Sequence, residues 1–147
     1  MKKKITLTIS SLMLLMGCSG TSPKLGTENK QLLACPNTPN CVSSYETDKE
    51  HAIESLKFKG DQQATQSLLL KVLQDYKGAK IITNNEHYIR AEFTSLIFRF
   101  VDDVEFYFPE ANANETIIQV RSASRIGHSD LGANRKRIEA IRQQLTK

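Results

Sequence analysis

The sequence predicts an α+β fold: a single domain in which a mostly antiparallel sheet of about five strands carries two helices on one face, in the order β-α-β-β-β-β-α. Three observations support this fold class. One apolar stripe recurs with the helical period, several later segments alternate apolar and polar residues as strands do, and a second helical stripe lies near the end of the chain. The 147 residues suffice for one domain, which we place at residues 34–147.

The first strand and the first helix are predicted on either side of Gly60. Residues 51–58 form a weak strand pattern. Asp61 is a suitable helix N-cap because its side chain can accept a hydrogen bond from the first turn, and Gly78 closes the helix. The residues predicted to face the core recur every three to four positions: Ala64, Leu68, Leu69, Val72, Leu73 and Tyr76.

The middle of the chain alternates in the manner of strands. Residues 79–83 predict a short strand, residues 84–85 a turn, and residues 87–100 a long extended run. The apolar parity of that run changes near residues 94–95, which predicts a bulge or bend there.

A hairpin is predicted after the long run, with its loop at residues 101–103. Its cross-strand pairs are Phe100 with Val104 and Phe98 with Phe106. This register places the apolar side chains on one face of the sheet.

The last strand and the last helix complete the predicted domain. Residues 116–125 form the strand, with Ile118 and Val120 inward and Arg121 on the opposite face. Asn134 then caps a helix whose apolar stripe is Ile138, Ile141 and Leu145.

Residues 1–17 are typical of a bacterial lipoprotein signal peptide. Lysines at positions 2–4 precede an apolar stretch at residues 5–16, which is too short to span a bilayer as a permanent helix. Residues 15–18, with the sequence LMGC, resemble a lipobox. The resemblance implies that Cys18 receives a diacylglycerol thioether, becomes the mature N-terminus and is N-acylated, with palmitate among its acyl chains. Several acyl chains together anchor stably.

The predicted location is therefore the bacterial cell envelope, with the membrane as a partner through Cys18. Ser19 is not Asp, so the outer membrane is favoured over the inner one if the host has two. The alternative is an ordinary secreted protein with a chance cysteine at its cleavage site. Residues 18–33 are rich in Gly, Ser, Pro and Asn with few apolar side chains, which predicts a flexible tether.

The charge balance excludes an argument for nucleic-acid binding. The chain has 20 Lys and Arg against 16 Asp and Glu, a formal net charge of +4. Three of those lysines lie in the signal peptide, so the mature chain is near neutral at +1. Because nucleic-acid affinity comes mainly from cations that neutralise phosphates, we predict no nucleic-acid partner.

Cys35 and Cys41 are predicted to form a disulfide, since the chain is expected outside the cytoplasm and the prolines and asparagines between them favour a tight reversal. A zinc site is the alternative, but its usual spacing and a second cysteine pair are missing from the sequence. A redox-active pair would need the Cys-x-x-Cys arrangement.

Residues 121–137 are the densest polar stretch, on a loop between a strand and a helix start. Cations in the first helical turn oppose the helix dipole, each by about 0.3–1 kcal/mol. Their presence indicates either a site that binds an anion or a structure in which other charged residues neutralise them. The anion would be a phosphate, sulfate or carboxylate. In the structural hypothesis, which we favour, aspartates neutralise the arginines, or the helix begins earlier with Asp130 as its cap. The candidate binding residues are Arg121, Ser124, Arg125, Asp130, Asn134, Arg135, Asp102 and Asp103.

Catalytic and metal sites are less well supported. Ser124, His128 and Asp130 are the residue types of a hydrolase triad, but they lie close together in one loop and the sequence lacks a Gly-x-Ser-x-Gly elbow. The aspartates in the predicted hairpin loop favour a turn over a carboxylate pair. The three histidines are scattered. We therefore predict no catalytic residue, no metal site and no cofactor.

Three motifs resemble one bacterial and plastid family, catalogued as domain of unknown function number 1499. They are CPNTPNCVSS at residues 35–44, FVDDVEF at residues 100–106 and the polar stretch at residues 121–137. The resemblance covers most of residues 35–145 and implies a shared fold without implying a reaction. We therefore expect a non-enzymatic envelope lipoprotein that binds an anionic small ligand or an envelope protein. The alternative is a small hydrolase or transferase acting on an anionic envelope component.

Overall fold

A six-stranded antiparallel sheet carries two helices on one face, which confirms the predicted α+β class. The computed structural model describes residues 20–109 and 115–146. A separate two-stranded hairpin precedes the sheet. The elements in chain order are β1 Thr27–Glu28, β2 Gln31–Leu32, β3 Cys41–Ser43, β4 Leu56–Lys59, α1 Gln62–Asp75, β5 Ala79–Asn85, β6 Tyr88–Thr94, β7 Val101–Tyr107, β8 Glu115–Ser124 and α2 Ala133–Leu145.

The long strand β8 organises the sheet. The strand order is β3-β8-β7-β6-β5, and β4 also pairs with β8. Residues 121–123 of β8 pair with β3, whereas residues 115–118 pair with β4. The sequence predicted β4 approximately, through residues 51–58, but did not predict β3, a strand of only three residues.

Both helices pack their apolar stripes on the same side of the sheet. As predicted, Asp61 caps α1 by accepting a hydrogen bond from the Ala64 amide at 2.9 Å. The predicted stripe of α1 is displaced, because Leu68 is 42% exposed and Thr65 is buried instead. The core residues include Leu69, Leu73, Ile89, Phe106, Phe108, Ile118, Val120, Ile138, Ile141 and Leu145.

The β6–β7 hairpin differs most from the prediction. Its register pairs Thr94 with Val101 and Ile89 with Phe106, so the loop comprises residues 95–100 rather than 101–103. The predicted long extended run is therefore wrong, since β6 ends at Thr94. The chain offers two alternating apolar runs before β7, and the first one pairs with it because that run also pairs with β5.

Two smaller corrections concern the neighbouring strand β5. Its turn to β6 lies at residues 86–87 rather than 84–85. The change of apolar parity near residues 94–95 marks the end of β6 rather than a bulge or bend within one strand. A register irregularity that we do not predict lies between Ile81 and Thr83 of β5. Gly78, in the turn before β5, has φ +87°, and a Cβ there would lie 2.7 Å from the carbonyl oxygen of Thr94.

An N-terminal segment crosses the sheet face opposite the helices. This segment, residues 20–33, contains the β1–β2 hairpin and buries Leu32 to 4% exposure. These contacts were not predicted from the sequence, whose composition indicates a flexible tether over residues 18–33. The predicted signal peptide and the lipidation residue Cys18 lie outside the described residues. Within residues 20–109 and 115–146, we find no helix of sufficient length and apolarity to cross a membrane.

Candidate functional site

Three acidic residues of β7 organise the polar side chains that the sequence singles out. Because side chains alternate along a strand, Asp103 and Glu105 lie on the face opposite the helices and Asp102 lies on the helix face. All three are buried, with exposures of 9% for Asp102, 1% for Asp103 and 0% for Glu105. The prediction of a hairpin loop for the two aspartates is therefore wrong.

Asp103 is the centre of an ion-pair network. Its carboxylate accepts hydrogen bonds from Arg125 Nε at 2.7 Å and from Arg90 Nη2 at 2.7 Å. Arg125 also pairs with Glu92. Burial alone would raise the pKa of Asp103, but the hydrogen bonds from the two arginines outweigh it and hold the pKa below its ordinary value. The Asp103 carboxylate is therefore ionised near neutral pH.

Glu105 forms the second centre on the same face. Its carboxylate accepts from Arg121 Nη1 at 3.0 Å and from the Tyr88 hydroxyl at 2.8 Å. Burial, together with the Glu105 carboxylate, raises the pKa of Tyr88, so its hydroxyl keeps its proton and donates. We name the six side chains of these two centres the ion-pair layer: Arg90, Glu92, Asp103, Glu105, Arg121 and Arg125.

The N-terminal segment covers the ion-pair layer and bonds to it. Arg90 Nη2 donates to the Ser22 hydroxyl at 2.7 Å, and the Gly26 amide donates to Glu105 at 3.1 Å. A cavity of about 160 Å³ remains between the segment and the layer, bordered by Asp103 and Arg121 among others. Among the described residues, Arg121 Nε is buried without a hydrogen-bond partner.

Asp102 joins a different group on the helix face. It pairs with Arg137, whose guanidinium carbon lies 4.9 Å from the centroid of the Phe93 ring. Arg137 Nη1 also donates to Asn134 Oδ1 at 2.6 Å. This pair therefore fixes the start of α2 against β7.

Asn134 is a core residue rather than the helix cap. It is the second residue of α2 and fully buried, and its Nδ2 donates to the Asn40 carbonyl at 2.9 Å and to Ser124 Oγ at 3.0 Å. The Asp130 carboxylate instead accepts from the amides of Gly132 at 2.9 Å and Asn134 at 2.8 Å. Asp130 thus supplies the negative charge that the first turn of α2 needs. The structural hypothesis is right about this role of Asp130 but wrong about an earlier helix start, because α2 begins at Ala133 with Gly132 at its N-cap position.

Arg135 contacts no carboxylate in the ion-pair layer. It donates to the carbonyl oxygens of Ala52 at 2.7 Å and Glu50 at 2.9 Å. The eight candidate binding residues are therefore divided among the ion-pair layer, the helix face, the cap of α2 and this loop contact.

The residues of the possible triad serve other purposes. Ser124 accepts from Asn134, Asp130 caps α2, and His128 is exposed. In residues 20–109 and 115–146, no hydrogen bond joins any two of these three side chains. The same part of the chain contains no group of three or more His, Cys, Asp or Glu positioned to hold a metal ion.

The predicted disulfide between Cys35 and Cys41 is present, with a Cα–Cα distance of 5.7 Å. It closes the loop that ends at β3, and within that loop Asn40 Nδ2 donates to the Gly127 carbonyl at 2.6 Å. The disulfide thus ties the end of the N-terminal segment to the sheet.

Sequence reasoning missed several members of these networks. Arg90 and Glu92 were overlooked because the wrong hairpin register placed other residues opposite β7. One signal was present, since Tyr88, Arg90 and Glu92 alternate with the apolar Ile89, Ala91 and Phe93.

The region that matches a known family coincides with the folded domain described above. The profile of the family described as "Protein of unknown function (DUF1499)" matches residues 31–145, from β2 to the end of α2. Searches of the curated proteins and of the solved structures returned no match. The matched region contains the whole sheet, the disulfide, the ion-pair layer and both helices. The chain therefore belongs to the DUF1499 family of proteins of unknown function.

Proposed function

We propose that this protein is a lipid-anchored domain of the bacterial cell envelope that acts as a non-enzymatic interaction module. The observation that carries the non-enzymatic part is the closure of the ion-pair layer. Its arginines and carboxylates neutralise one another beneath residues 20–33, so these groups hold the fold together. A catalytic group needs access to a substrate, whereas Asp103, Glu105 and Arg121 are buried and the other three side chains of the layer are only partly exposed.

The anchor is proposed from the signal sequence and Cys18. Acyl chains contribute about 0.8 kcal/mol for each buried CH₂, so a triacylated cysteine holds a domain stably at a membrane. The outer membrane is the proposed destination in a host with two membranes, because residue 19 is Ser rather than Asp.

Metabolic labelling with palmitate tests the anchor. We expect the wild-type chain to carry the label and to sediment with membranes, whereas Cys18→Ser loses the label and is not processed at residue 18. Cys35→Ser is the matched control, since it removes a different cysteine and should remain labelled. Unchanged labelling of Cys18→Ser would refute lipidation at this residue.

A small anion is a second candidate partner, favoured by one specific observation. Arg121 is one of the residues that line a cavity of about 160 Å³, and its buried Nε has no partner among the described residues. A ligand that binds only the folded state raises the melting temperature. Titration with inorganic phosphate should therefore stabilise the protein, and Arg121→Lys should abolish that effect. An unchanged melting temperature in the wild type would eliminate this candidate.

A further inference from the structure

The loop between β6 and β7 exposes a group of large apolar side chains. Phe98 and Phe100 stack with ring centroids 5.6 Å apart. The exposures are 65% for Leu96, 83% for Ile97, 69% for Phe98 and 47% for Phe100. We name residues 95–100 the apolar loop. Adjacent exposed side chains of this size mark an interaction surface.

The apolar loop lies at the end of the domain that also contains Gly20. The Arg125 amide donates to the carbonyl of Val101, the first residue after the loop, at 3.1 Å. Gly20 packs beside Arg125, because a Cβ at Gly20 would lie 3.1 Å from both Arg125 Cβ and Ile126 Cγ2. Gly20 and the residue that follows the apolar loop are thus both adjacent to Arg125.

The proposed anchor is close to that end of the domain. Cys18 precedes Gly20 by two residues, which reach at most about 7 Å when fully extended. An acyl group on Cys18 would therefore enter the membrane near the end of the sheet that bears the apolar loop. This step rests on the proposed lipidation.

Exposed cations lie beside and within the apolar loop. Lys77 and Lys136 border the same surface cavity as Leu96, and Arg99 belongs to the loop itself. Asp75 on the last turn of α1 is the exposed acid nearest in sequence to Lys77. Basic residues beside an apolar protrusion favour a surface with anionic lipids, because the negative surface potential of such a membrane attracts cations.

A further apolar side chain extends this surface. Leu131 is 88% exposed and precedes α2 by two residues, and Ala133 at the start of α2 borders the cavity shared by Leu96 and Lys136. The exposed apolar residues therefore come from two separate loops at one end of the fold.

We propose that the apolar loop inserts into the lipid–water interface of the membrane that holds the Cys18 anchor. Its side chains enter the boundary between headgroups and acyl chains, while the surrounding cations contact anionic headgroups. Two attachment points would fix the orientation of the domain, with the β5–β6 turn directed away from the bilayer. The acyl anchor alone would leave that orientation free.

A single tryptophan can report the insertion, since the chain has none. We would reconstitute the full lipidated protein carrying Phe98→Trp in vesicles of phosphatidylethanolamine and phosphatidylglycerol. His87→Trp is the matched control, because it lies at the opposite end of β6, about 20 Å away. Emission from Phe98→Trp should shift to shorter wavelength and lose intensity when the acyl chains carry bromine. Emission from His87→Trp should not change.

Mass spectrometry of the same preparation shows whether Cys18 carries the lipid, and so distinguishes a failure of the proposed insertion from a failure of the proposed anchor. Protein that carries the lipid but shows no bromine quenching of Phe98→Trp would overturn the insertion and leave the lipid anchor standing. Protein without lipid on Cys18 would overturn the proposed function, and the orientation inferred from it. Shielding of Phe98→Trp in native membranes but not in pure lipid would also overturn the insertion, in favour of a protein partner. Unchanged circular dichroism would verify that both variants are folded.

Discussion

The two faces of the central sheet are both buried, but their chemistry is opposite. The helix face packs apolar side chains from β6, β7 and β8 against two apolar helix stripes. The other face carries the ion-pair layer beneath residues 20–33, which supply a hydroxyl and a backbone amide. The stability of the apolar face depends on how completely its side chains fill the core, whereas that of the charged face depends on each charge retaining its ion-pair partner.

The largest expected effect comes from unpairing the charged face. Asp103→Ala leaves Arg90 and Arg125 without their shared carboxylate, so we expect the free energy of unfolding to fall by about 3–5 kcal/mol. Urea denaturation would measure this loss. Asp75→Ala removes an exposed acid and should change stability by no more than about 0.5 kcal/mol. Equal effects from the two substitutions would contradict the structural role of Asp103 in the ion-pair layer.

The disulfide should have an intermediate effect. Replacing both Cys35 and Cys41 by Ser removes a short covalent loop at the end of the N-terminal segment. The chain-entropy model gives a loss of about 2–2.5 kcal/mol. Thermal melts of the double variant, compared with the oxidised and the reduced wild type, would check it. A variant as stable as the oxidised wild type would show that the bridge does not hold this region.

The cap of α2 should have a smaller effect. Asp130→Ala removes the acceptor for the Gly132 and Asn134 amides, and loss of such a cap costs about 1 kcal/mol. The measurement is again the urea midpoint. Asp130→Asn keeps an acceptor and should recover part of the loss. If Asp130→Ala instead left stability intact and abolished binding of phosphate, the residue would belong to a ligand site.

The pH dependence of stability should distinguish two buried groups, Asp103 and His51, because their pKa values are shifted in opposite directions. The lowered pKa of Asp103 means that its contribution is present above the ordinary carboxyl pKa of about 3.9 and is lost as the pH falls through the folded value. Burial alone would lower the pKa of His51, but hydrogen bonds with Asp48 and the Thr38 carbonyl outweigh it and raise the pKa. Its contribution is therefore present below about pH 6.5 and is lost as the pH rises through the folded value.

Unfolding measured from acid to mildly basic pH would test both signs. Asp103→Asn should make the free energy of unfolding depend less on pH in the acid range, and His51→Gln should do the same above about pH 6.5. A weaker pH dependence in the opposite range for either variant would contradict the assigned ionisation.

Sequence features confined to neighbouring residues predicted both helices and the disulfide. Asp61 with the periodic residues after it specified α1, and the stripe of Ile138, Ile141 and Leu145 specified α2. The disulfide followed from two cysteines at a spacing that a turn can close. Such features depend on residues that are near one another in the chain.

Cross-strand partners were less predictable. The apolar residues before and after Thr94 offered two hairpin registers, and the choice depends on simultaneous pairing with β5. That choice also determines that Arg90 lies opposite Glu105 in the sheet and reaches Asp103. The contacts of residues 20–33 were missed because composition alone does not show that hydroxyls and amides satisfy buried charges.

A double-mutant cycle on Arg125 and Asp103 tests most directly the claim that the ion-pair layer is structural. Unfolding free energies of Arg125→Ala, Asp103→Ala and the double variant give the coupling between the two side chains. We predict that the single losses are not additive, with a coupling of about 0.5–3 kcal/mol, because each substitution removes the same contact. Additive losses within about 0.5 kcal/mol would show that the two residues act independently, and would contradict the structural role of the layer.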